Sequence, residues 1–253
     1  MGRLTLPDSP DDSPGNSARG RVFEWGFEVE KKPIGQRSTA WHEAKARATR
    51  SAVLAGAARV FDRVGYRNAV VSEISKESET TAGAMYHYFP SKEAVALAVV
   101  EEARQQLLAV FEGADQLSPI SRLVQVSARL GALAQGDPVS RASLRLALEP
   151  GTLQEHPMRY LEDWQLATRE LVQTAIDAGE LRGDAGSERV ARRLVSGFVG
   201  AAMLAAAQPA GGERAFLDDL ADSLQLILTA AAADTHAVRF AALIAAEFPS
   251  DSD

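Results

Sequence analysis

The residues most able to do chemistry lie between Val71 and Lys92. They read Val-Ser-Glu-Ile-Ser-Lys-Glu-Ser-Glu-Thr-Thr-Ala-Gly-Ala-Met-Tyr-His-Tyr-Phe-Pro-Ser-Lys. This order predicts a short helix, a tight turn and a second short helix, with a Pro-Ser step that starts a third helix. Two short helices joined in this way are the outline of a helix-turn-helix, which binds DNA. The chemistry indicated is therefore non-covalent recognition of a nucleic acid.

An upstream helix is predicted to position these residues. Its apolar residues recur at i, i+4, i+7 and i+8 and form one stripe, which consists of Val53, Ala57, Val60 and Phe61. The helix is expected to end at Gly65, because a residue without a Cβ suits a left-handed backbone there. Ile74 and Met85 can then face the stripe and close a three-helix core, which leaves the helix of residues 80 to 86 outside.

The motif Gly-x-x-Tyr-x-x-Phe-x-x-Lys-Glu, from Gly83 to Glu93, resembles the N-terminal domain of TetR-type transcriptional repressors, over about residues 45 to 100. In that resemblance Gly83 lets the backbone approach DNA closely, and Tyr86 and Lys92 hold phosphates. Two further phosphate contacts would come from the beginning of the first helix. The expected DNA contacts are Thr49, Arg50, Thr80, Thr81, Ala82, Gly83, Tyr86, His87 and Lys92.

Four positions depart from the family pattern. Val70 stands where a hydroxyl residue usually caps the second helix, and valine cannot accept the free N–H groups of a first turn. Glu79 stands at the turn, where glycine is favoured because the backbone there is left-handed. Thr80 replaces a small apolar residue, and Ala82 replaces a polar residue that often reaches phosphate. These departures motivate an alternative in which the head binds DNA poorly.

The charge distribution concentrates positive charge upstream of the motif. Residues 68 to 95 contain two lysines and four glutamates, a net charge of −2, whereas the whole chain carries −7. Residues 31 to 67 contain nine lysines and arginines and two acidic residues, a net charge of +7. Counterion release by basic residues supplies much of the affinity for DNA, so this window is expected to hold phosphates. The alternative is an ordinary solvated helix face.

Composition indicates a soluble protein of more than one domain. The chain has 253 residues, 46% of them hydrophobic, and no cysteine. We expect a cytoplasmic location, because no segment matches a signal peptide or a membrane span. The predicted organisation is a disordered or extended arm (1–40), a helix-turn-helix domain (41–91) and a helical ligand-binding and dimerisation domain (92–253). Within the arm, residues 21 to 30 partly alternate and suggest a short strand or an extended segment.

The third domain is predicted to be helical throughout, which makes the fold class all-α. Prolines at first turns and glycines at helix ends set the limits. The predicted helices are 92–112, 119–135, 139–148, 157–178, 187–207, 213–232 and 236–247.

Three segments of this domain resemble the γ-butyrolactone receptors of antibiotic-producing actinomycetes. They are residues 139–148, the segment Tyr-Leu-Glu-Asp-Trp-Gln-Leu-Ala-Thr at 160–168, and Ala-Gly-Glu-Leu at 178–181. In that group the tryptophan lines the ligand pocket, so the resemblance assigns this role to Trp164. Thr168, one turn further, could hydrogen-bond a lactone or hydroxyl group. The other expected pocket residues are Gln105, Gln125, Val126, Leu130, Leu144 and Phe198, and the alternative is that Trp164 is an ordinary core residue.

Helices 187–207 and 213–232 are predicted to form a dimer interface. Each has an apolar stripe, consisting of Val190, Leu194, Phe198 and Ala201 in the first helix and of Phe216, Leu220, Leu224, Ile227 and Leu228 in the second. Two copies could build a four-helix bundle across a two-fold axis. The alternative is that both stripes are buried within their own domain.

An enzyme is disfavoured. The four histidines lack the spacing of metal ligands, no glycine-rich phosphate loop is present, and carboxylate pairs such as Glu101 and Glu102 lie on charged faces. No metal or other cofactor is expected. The sequence predicts a homodimeric repressor that binds a pseudopalindromic operator and is released by a small amphiphile of lactone, furan or butenolide type. The alternative is a TetR-like module that binds ligands or proteins and has impaired DNA binding.

Overall fold

The computed structural model describes residues 34–112, 117–149, 153, 156–207, 212–233 and 236–249. For residues 34–38, 156–158 and 213 it describes the backbone alone. The predicted disordered leader and the segment 21–30 lie outside these residues.

The described residues are helical and form no β-sheet, since their only bridge is an isolated pair between Leu181 and Ala232. This confirms the all-α class. The helices are α1 (Ile34–Asn68), α2 (Val71–Glu77), α3 (Ala82–Tyr88), α4 (Lys92–Phe111), α5 (Pro119–Gly136), α6 (Pro138–Leu148), α7 (His156–Asp177), α8 (Ser187–Ala206), α9 (Gly212–Ala231) and α10 (Ala237–Glu247), with a 3₁₀ turn at Gly183–Ala185. From α4 onward, every end lies within one residue of the prediction. No helix in the described part of the chain is long and apolar enough to cross a membrane.

Helix α1 begins earlier than expected. It starts at Ile34, so the predicted boundary between residues 40 and 41 falls inside a helix. Thr49 and Arg50 therefore do not begin the first helix, and that expectation was wrong. Alternate positions 44, 46 and 48 are alanine, the strongest helix former, so nothing interrupts the helix before Thr49.

The head (residues 43–91) has the predicted three-helix core. Val53, Phe61, Ile74 and Met85 are fully buried, which confirms that the stripe of α1 faces α2 and α3. A Cβ on Gly56 would lie 2.6 Å from the backbone nitrogen of Ser78. Helix α1 therefore lies against the backbone at the end of α2, and glycine allows this close contact.

The turn between α2 and α3 accommodates the unusual residues. Glu79 has φ +54°, which confirms the left-handed backbone expected at that position. The Thr80 hydroxyl lies 2.7 Å from the Ser78 hydroxyl, and the Thr80 N–H donates to the carbonyl of Ser75 at 2.9 Å. Val70 provides no side-chain cap to α2, as predicted. Local hydrogen bonds therefore hold the turn in place of the small apolar contact that the family favours.

One surface joins the head to the rest of the chain, and we call it the α6–α1 joint. It consists of Arg141 and Arg145 of α6 and of Glu149, the residue that follows α6, against residues 62–67 of α1. Arg141 pairs with Asp62 at 2.9 Å, and Arg145 Nη1 donates to the carbonyl of Asp62 at 2.7 Å. Glu149 accepts the N–H groups of Tyr66, at 2.8 Å, and of Arg67, at 3.2 Å.

The joint closes on a break in α1 at Gly65. This residue has φ +75° and ψ 178°, a combination open almost only to glycine. The break turns the N–H groups of Tyr66 and Arg67 toward Glu149 rather than along the helix. It confirms the positive φ predicted for Gly65.

A buried carboxylate ties together the far end of the helical domain. Glu180 lies in the turn after α7, and its Oε2 accepts the N–H of Ile120, in the first turn of α5, at 2.9 Å. Its Oε1 lies 3.3 Å from Arg239 of α10, which also donates to the Ser118 hydroxyl. The charge of Glu180 is therefore balanced by a helix N-terminus and by an arginine.

The apolar stripes of α8 and α9 do not point outward. Val190, Leu194, Phe198 and Ala201 of α8, and Phe216, Leu220, Leu224 and Leu228 of α9, are all buried within their own chain. Ile227 is half-buried. The prediction that these residues form a dimer interface was wrong, because each helix uses its most apolar face to cover the core of its own domain.

We expect Gly65→Ala to lower the free energy of unfolding by about 1–3 kcal/mol, because the backbone is strained for any other residue. The new Cβ would also lie 2.9 Å from Glu149 Oε2 and 3.2 Å from Arg145 Nε. Gly136→Ala is the matched control, since a Cβ there meets nothing within 4 Å. Urea denaturation followed by circular dichroism measures both variants, and equal stabilities would contradict the role given to Gly65.

Candidate functional site

Helix α3 presents the polar residues of the predicted recognition surface. It begins at Ala82, and the Thr81 hydroxyl caps it by accepting the N–H of Ala84 at 3.1 Å. The residues from Thr81 to Gly83 are exposed, as are His87 and Tyr86, the latter with half of its surface accessible. Thr80 is half-buried and bonded to Ser78, so it faces the turn rather than the open surface.

Basic residues of α1 adjoin this surface. The Arg50 guanidinium lies 5.1 Å from the ring centre of Phe89, the residue that ends α3. Lys45 and Arg47 are exposed on the preceding turn of α1. Thr49 is half-buried, and its hydroxyl donates to the carbonyl of Lys45 at 3.0 Å. The positive charge beside α3 therefore comes from Lys45, Arg47 and Arg50. The Thr49 hydroxyl already has a hydrogen-bond acceptor within its own helix.

The resemblance implied that Lys92 binds a DNA phosphate, but its side chain does not extend outward from the head. Its ammonium donates to the carbonyls of Tyr66, at 2.8 Å, and of Ala69, at 2.9 Å, and lies 4.3 Å from the ring centre of Tyr66. These carbonyls belong to the end of α1 and the link to α2, where the regular i→i+4 hydrogen bonds of a helix stop and the Tyr66 carbonyl accepts only the N–H of Ala69 from the backbone. The assignment of Lys92 to a phosphate contact is corrected, because its side chain fixes the start of α4 to the end of α1.

Two small cavities flank Trp164 in the helical domain. Each has a volume of about 20 Å³, and Leu130, Trp164 and Phe198 line both. Leu144 lines the first cavity, and Val126 and Thr168 line the second. Six of the eight expected pocket residues therefore meet around two voids that share one wall.

The shared wall is aromatic. Trp164 is buried, and its ring meets that of Phe198 edge to face at 4.8 Å, while Phe198 meets Phe216 in the same way at 5.3 Å. The Thr168 hydroxyl donates to the carbonyl of Trp164 at 2.8 Å, so its proton is already engaged. Thr168 can still accept a hydrogen bond.

Two predicted polar contacts lie elsewhere. Gln105 is exposed and donates to Glu101 at 3.1 Å, on the outer face of α4. Gln125 is half-buried and lines neither cavity. Both predictions placed an amide on the inner face of a helix, whereas the apolar residues beside them occupy that face.

Tyr160 belongs to the wall of the first cavity, although it was not predicted from the sequence. It lines the first cavity, one turn before Trp164, with the two ring centres 6.2 Å apart. Burial raises the pKa of its phenol to about 12, so the hydroxyl is protonated and can donate. Among the described residues this hydroxyl has no hydrogen-bond partner. The spacing of Tyr160, Trp164 and Thr168, four residues apart on one helical face, was the available signal.

An open groove of about 1,050 Å³ runs beside the α6–α1 joint. Asp62, Arg141 and Arg145 line it on one side, and the end of α8 lines it on the other. Ala134 and Leu144 line both this groove and the first cavity. An alanine and a leucine therefore lie between the first cavity and the groove beside the joint. Within the described ranges, no group of three acidic or histidine side chains could hold a metal ion.

Two family models match the chain. Residues 53–99 match the model described as bacterial regulatory proteins, tetR family, and residues 113–216 match the tetracyclin repressor-like C-terminal domain. The "A-factor receptor protein" of Streptomyces griseus is 31% identical over 159 residues, which is 62% of this chain. The match spans 55% of that protein's length.

Solved structures agree with these matches over most of the chain. TylP, described as a TetR regulator from Streptomyces fradiae, shares 32% identity with a TM-score of 0.65, over 81% of this chain and 99% of its own. CprB from Streptomyces coelicolor, solved in complex with its operator sequence, shares 25% identity with a TM-score of 0.68, over 80% of this chain and 98% of its own.

We expect Lys92→Met to lower the free energy of unfolding by about 1–3 kcal/mol, because two carbonyls at the end of α1 lose a charged donor. Lys76→Met is the matched control, since Lys76 is exposed on α2. Thermal denaturation measures the difference. A Lys92→Met protein as stable as the control would show that the ammonium does not hold the two helices together.

Proposed function

Because the chain belongs to the TetR family of bacterial regulatory proteins, we propose that it is a repressor that binds operator DNA through α3 and is released by a small amphiphile. The regulators that it resembles are not enzymes. The observation that carries the proposal is the α6–α1 joint, which connects the wall of an aromatic interior cavity to the end of α1, the helix whose apolar stripe packs beneath the exposed recognition helix α3. We propose a cytoplasmic location, where an operator is accessible.

The head would contact DNA with few charges on α3 itself. Thr81, Ala82, Gly83, Tyr86 and His87 are its exposed residues, and they offer hydroxyl, ring and backbone contacts. Affinity would come mainly from Lys45, Arg47 and Arg50 of α1, and from the basic residues at 31–37, which lie at the edge of the described chain or beyond it. The operator complex of CprB supports this use of the fold. A gel-shift with the promoter DNA upstream of its own gene tests it.

The rival function, a TetR-like ligand-binding or protein-interaction module with impaired DNA binding, rests on three residues. Exposed Ala82 adds no phosphate contact, Val70 gives α2 no side-chain cap, and Glu79 has the left-handed φ of +54° that favours glycine. Thr80 raises no objection, because its hydroxyl is hydrogen-bonded to that of Ser78 within the turn. The rival predicts no complex with promoter DNA at low salt. The proposed function predicts a complex that weakens steeply as salt is added.

Ligand binding would require the interior to open. The two cavities hold about 20 Å³ each, whereas pockets for small ligands occupy roughly 300 Å³ or more. Separation of the walls that they share would merge them, with Trp164 still lining the space. The Tyr160 hydroxyl, which has no hydrogen-bond partner among the described residues, could then donate to a carbonyl or lactone oxygen. We propose a ligand of lactone, furan or butenolide type, which the resemblance to γ-butyrolactone receptors and the similarity to the A-factor receptor protein support.

Opening of the cavity would change the position of the head, because α6 carries residues of both the cavity wall and the α6–α1 joint. Leu144 lines the first cavity, and its neighbour Arg145 donates to the carbonyls of Asp62 and Arg63. A ligand that displaces Leu144 must therefore move Arg145 or break its hydrogen bonds. The effect is reciprocal, so operator DNA would weaken ligand binding by the same factor.

The repressor would act as a homodimer through α8 and α9, so that two heads meet two half-sites of a pseudopalindrome. The buried stripes of these helices cannot serve as the interface. Their outer faces are free, and they carry Leu204 and Leu226, with exposures of 63% and 73%.

We expect Arg47→Gln to weaken operator binding at all sequences tested and to reduce the log–log dependence on salt by roughly 0.9 per lost phosphate contact. Base preference should survive, because α3 is unchanged. Lys76→Gln is the control, as an exposed lysine outside the proposed contacts. Fluorescence anisotropy measures the change in affinity at salt concentrations between about 50 and 200 mM, the range in which such slopes are resolved. An unchanged slope would remove Arg47 from the phosphate contacts.

We expect Trp164→Ala to leave operator affinity within about threefold and to abolish release by a γ-butyrolactone that dissociates the parent protein, because the ligand loses its main apolar wall. Leu166→Ala is the control on the same helix, since Leu166 is exposed. Titration of the operator complex with the ligand measures release. Normal release by a folded Trp164→Ala protein would exclude the cavity as the ligand site.

A further inference from the structure

The two cavities beside Trp164 lie end to end along the helices that surround them. Along α7, Tyr160 lines the first cavity and Thr168 lines the second, while Trp164 between them lines both. Helix α5 shows the reverse order, because Ser127 lines the second cavity and Ala134 lines the first. The cavities therefore form one line along α7, about 12 Å long from Tyr160 to Thr168 at 1.5 Å per residue.

The first cavity contains a hydrogen-bond donor that is not in use. Tyr160 is buried, and among the described residues its hydroxyl has no hydrogen-bond partner. The hydroxyl of Ser140, which also lines this cavity, already donates to the carboxylate of Asp137 at 3.1 Å. A buried donor without a partner is unfavourable, so a ligand that places an acceptor beside Tyr160 gains a hydrogen bond.

The hydroxyl groups of the second cavity can only accept. Thr168 donates to the carbonyl of Trp164 at 2.8 Å, and Ser127 donates to the carbonyl of Leu123 at 2.9 Å. Each hydroxyl has one proton, and both protons are engaged, whereas the oxygens keep acceptor capacity. The indole N–H of Trp164 belongs to the wall shared by both cavities, so it does not distinguish them. The remaining side chains that line the second cavity are apolar.

We infer that the protein binds a ligand with a hydrogen-bond acceptor at one end and a hydroxyl donor at the other, joined by an alkyl chain. The inference rests on the proposed function and specifies the polarity, the length and the orientation of the ligand. The carbonyl or lactone oxygen accepts from Tyr160, and the terminal hydroxyl donates to Thr168 or Ser127. The alkyl chain lies between them, against Trp164 and Phe198, which line both cavities.

The arrangement of donors fixes the orientation. In the reverse orientation the carbonyl would face Thr168 and Ser127, whose protons are engaged, and its hydrogen bond would be lost. The favoured orientation places the lactone ring beside Leu144, which lines the first cavity but not the second. The neighbour of Leu144 is Arg145, which belongs to the α6–α1 joint. The bulky end of the ligand therefore lies next to the part of α6 that contacts the head.

Three synthetic probes test the two hydrogen bonds separately. A γ-butyrolactone with an ω-hydroxyhexyl chain carries both groups, γ-hexyl-γ-butyrolactone lacks the hydroxyl, and ω-hydroxyhexylcyclopentane lacks the acceptor. Isothermal titration calorimetry with the full chain measures the dissociation constant of each probe. We expect the hydroxyhexyl lactone to bind roughly threefold to tenfold more tightly than either of the others, the factor typical of one net hydrogen bond.

Substitutions then assign each hydrogen bond to its residue. Tyr160→Phe should weaken both lactones by roughly threefold to tenfold and leave the cyclopentane probe unchanged. Combining Thr168→Val with Ser127→Ala should abolish or reverse the preference for the terminal hydroxyl and preserve the preference for the carbonyl. Thr174→Val is the matched control, because Thr174 makes the same hydrogen bond, to the carbonyl of Glu170, on the exposed face of α7. It should change none of the three affinities.

The outcomes separate this inference from the proposed function. Equal affinities of the parent for the three probes, or an equal loss for all three in Tyr160→Phe, overturn the inference. So does a Tyr160→Phe protein that loses only the preference for the hydroxyl, since this indicates the reverse orientation. Circular dichroism verifies that each variant is folded.

A parent protein that binds none of the probes also overturns the inference, while the gel-shift with promoter DNA decides independently whether the chain is a repressor. The predicted pattern of affinities in a protein that binds no operator supports the ligand site and contradicts the repressor.

Discussion

The structure depends on how a carboxylate and two arginines hold the broken end of α1. Glu149 accepts the N–H groups of Tyr66 and Arg67, which the positive φ of Gly65 turns away from the helix. Arg145 donates to the carbonyls of Asp62 and Arg63 beside it. Backbone groups at a helix end need partners, and here they come from a different domain. The joint with α6 therefore contributes to the orientation of the head.

Under the proposed function, this dependence would carry the effect of ligand binding from a tightly packed interior to the head. The interior around Trp164 has almost no free volume, so a ligand can enter only by displacing its walls, and one of these walls is α6. Packed interiors shift between discrete arrangements rather than deforming continuously. Lys92 adds a second attachment, because it ties the start of α4 to the end of α1. The head is thus held at two points that both border the helical domain.

Local features of the fold could be predicted from the sequence. The apolar stripe of α1, the positive φ of Gly65 and the limits of the helices from α4 onward depend on residues close in the chain, and these predictions were confirmed. The positive φ at Glu79 followed from the family resemblance instead, because glutamate itself does not favour it. The joint could not be predicted, since Glu149 and Tyr66 are 83 residues apart and either could have been solvated. Lys92 was misassigned for the same reason. The prediction that the apolar stripes of α8 and α9 form the dimer interface was wrong, because an apolar face indicates burial but does not identify the surface that covers it.

The most direct test of the account measures the orientation of the head in a single chain. The sequence has no cysteine, so Lys76→Cys and Gln165→Cys, at exposed positions on α2 and α7, would carry the only two spin labels. Double electron–electron resonance, with labelled protein diluted in unlabelled protein, gives the distribution of distances between them. We predict one narrow distribution in the parent, and a broad or shifted one when Arg141→Ala and Glu149→Ala are added. An unchanged narrow distribution in that folded variant would contradict the claim that the α6–α1 joint fixes the head.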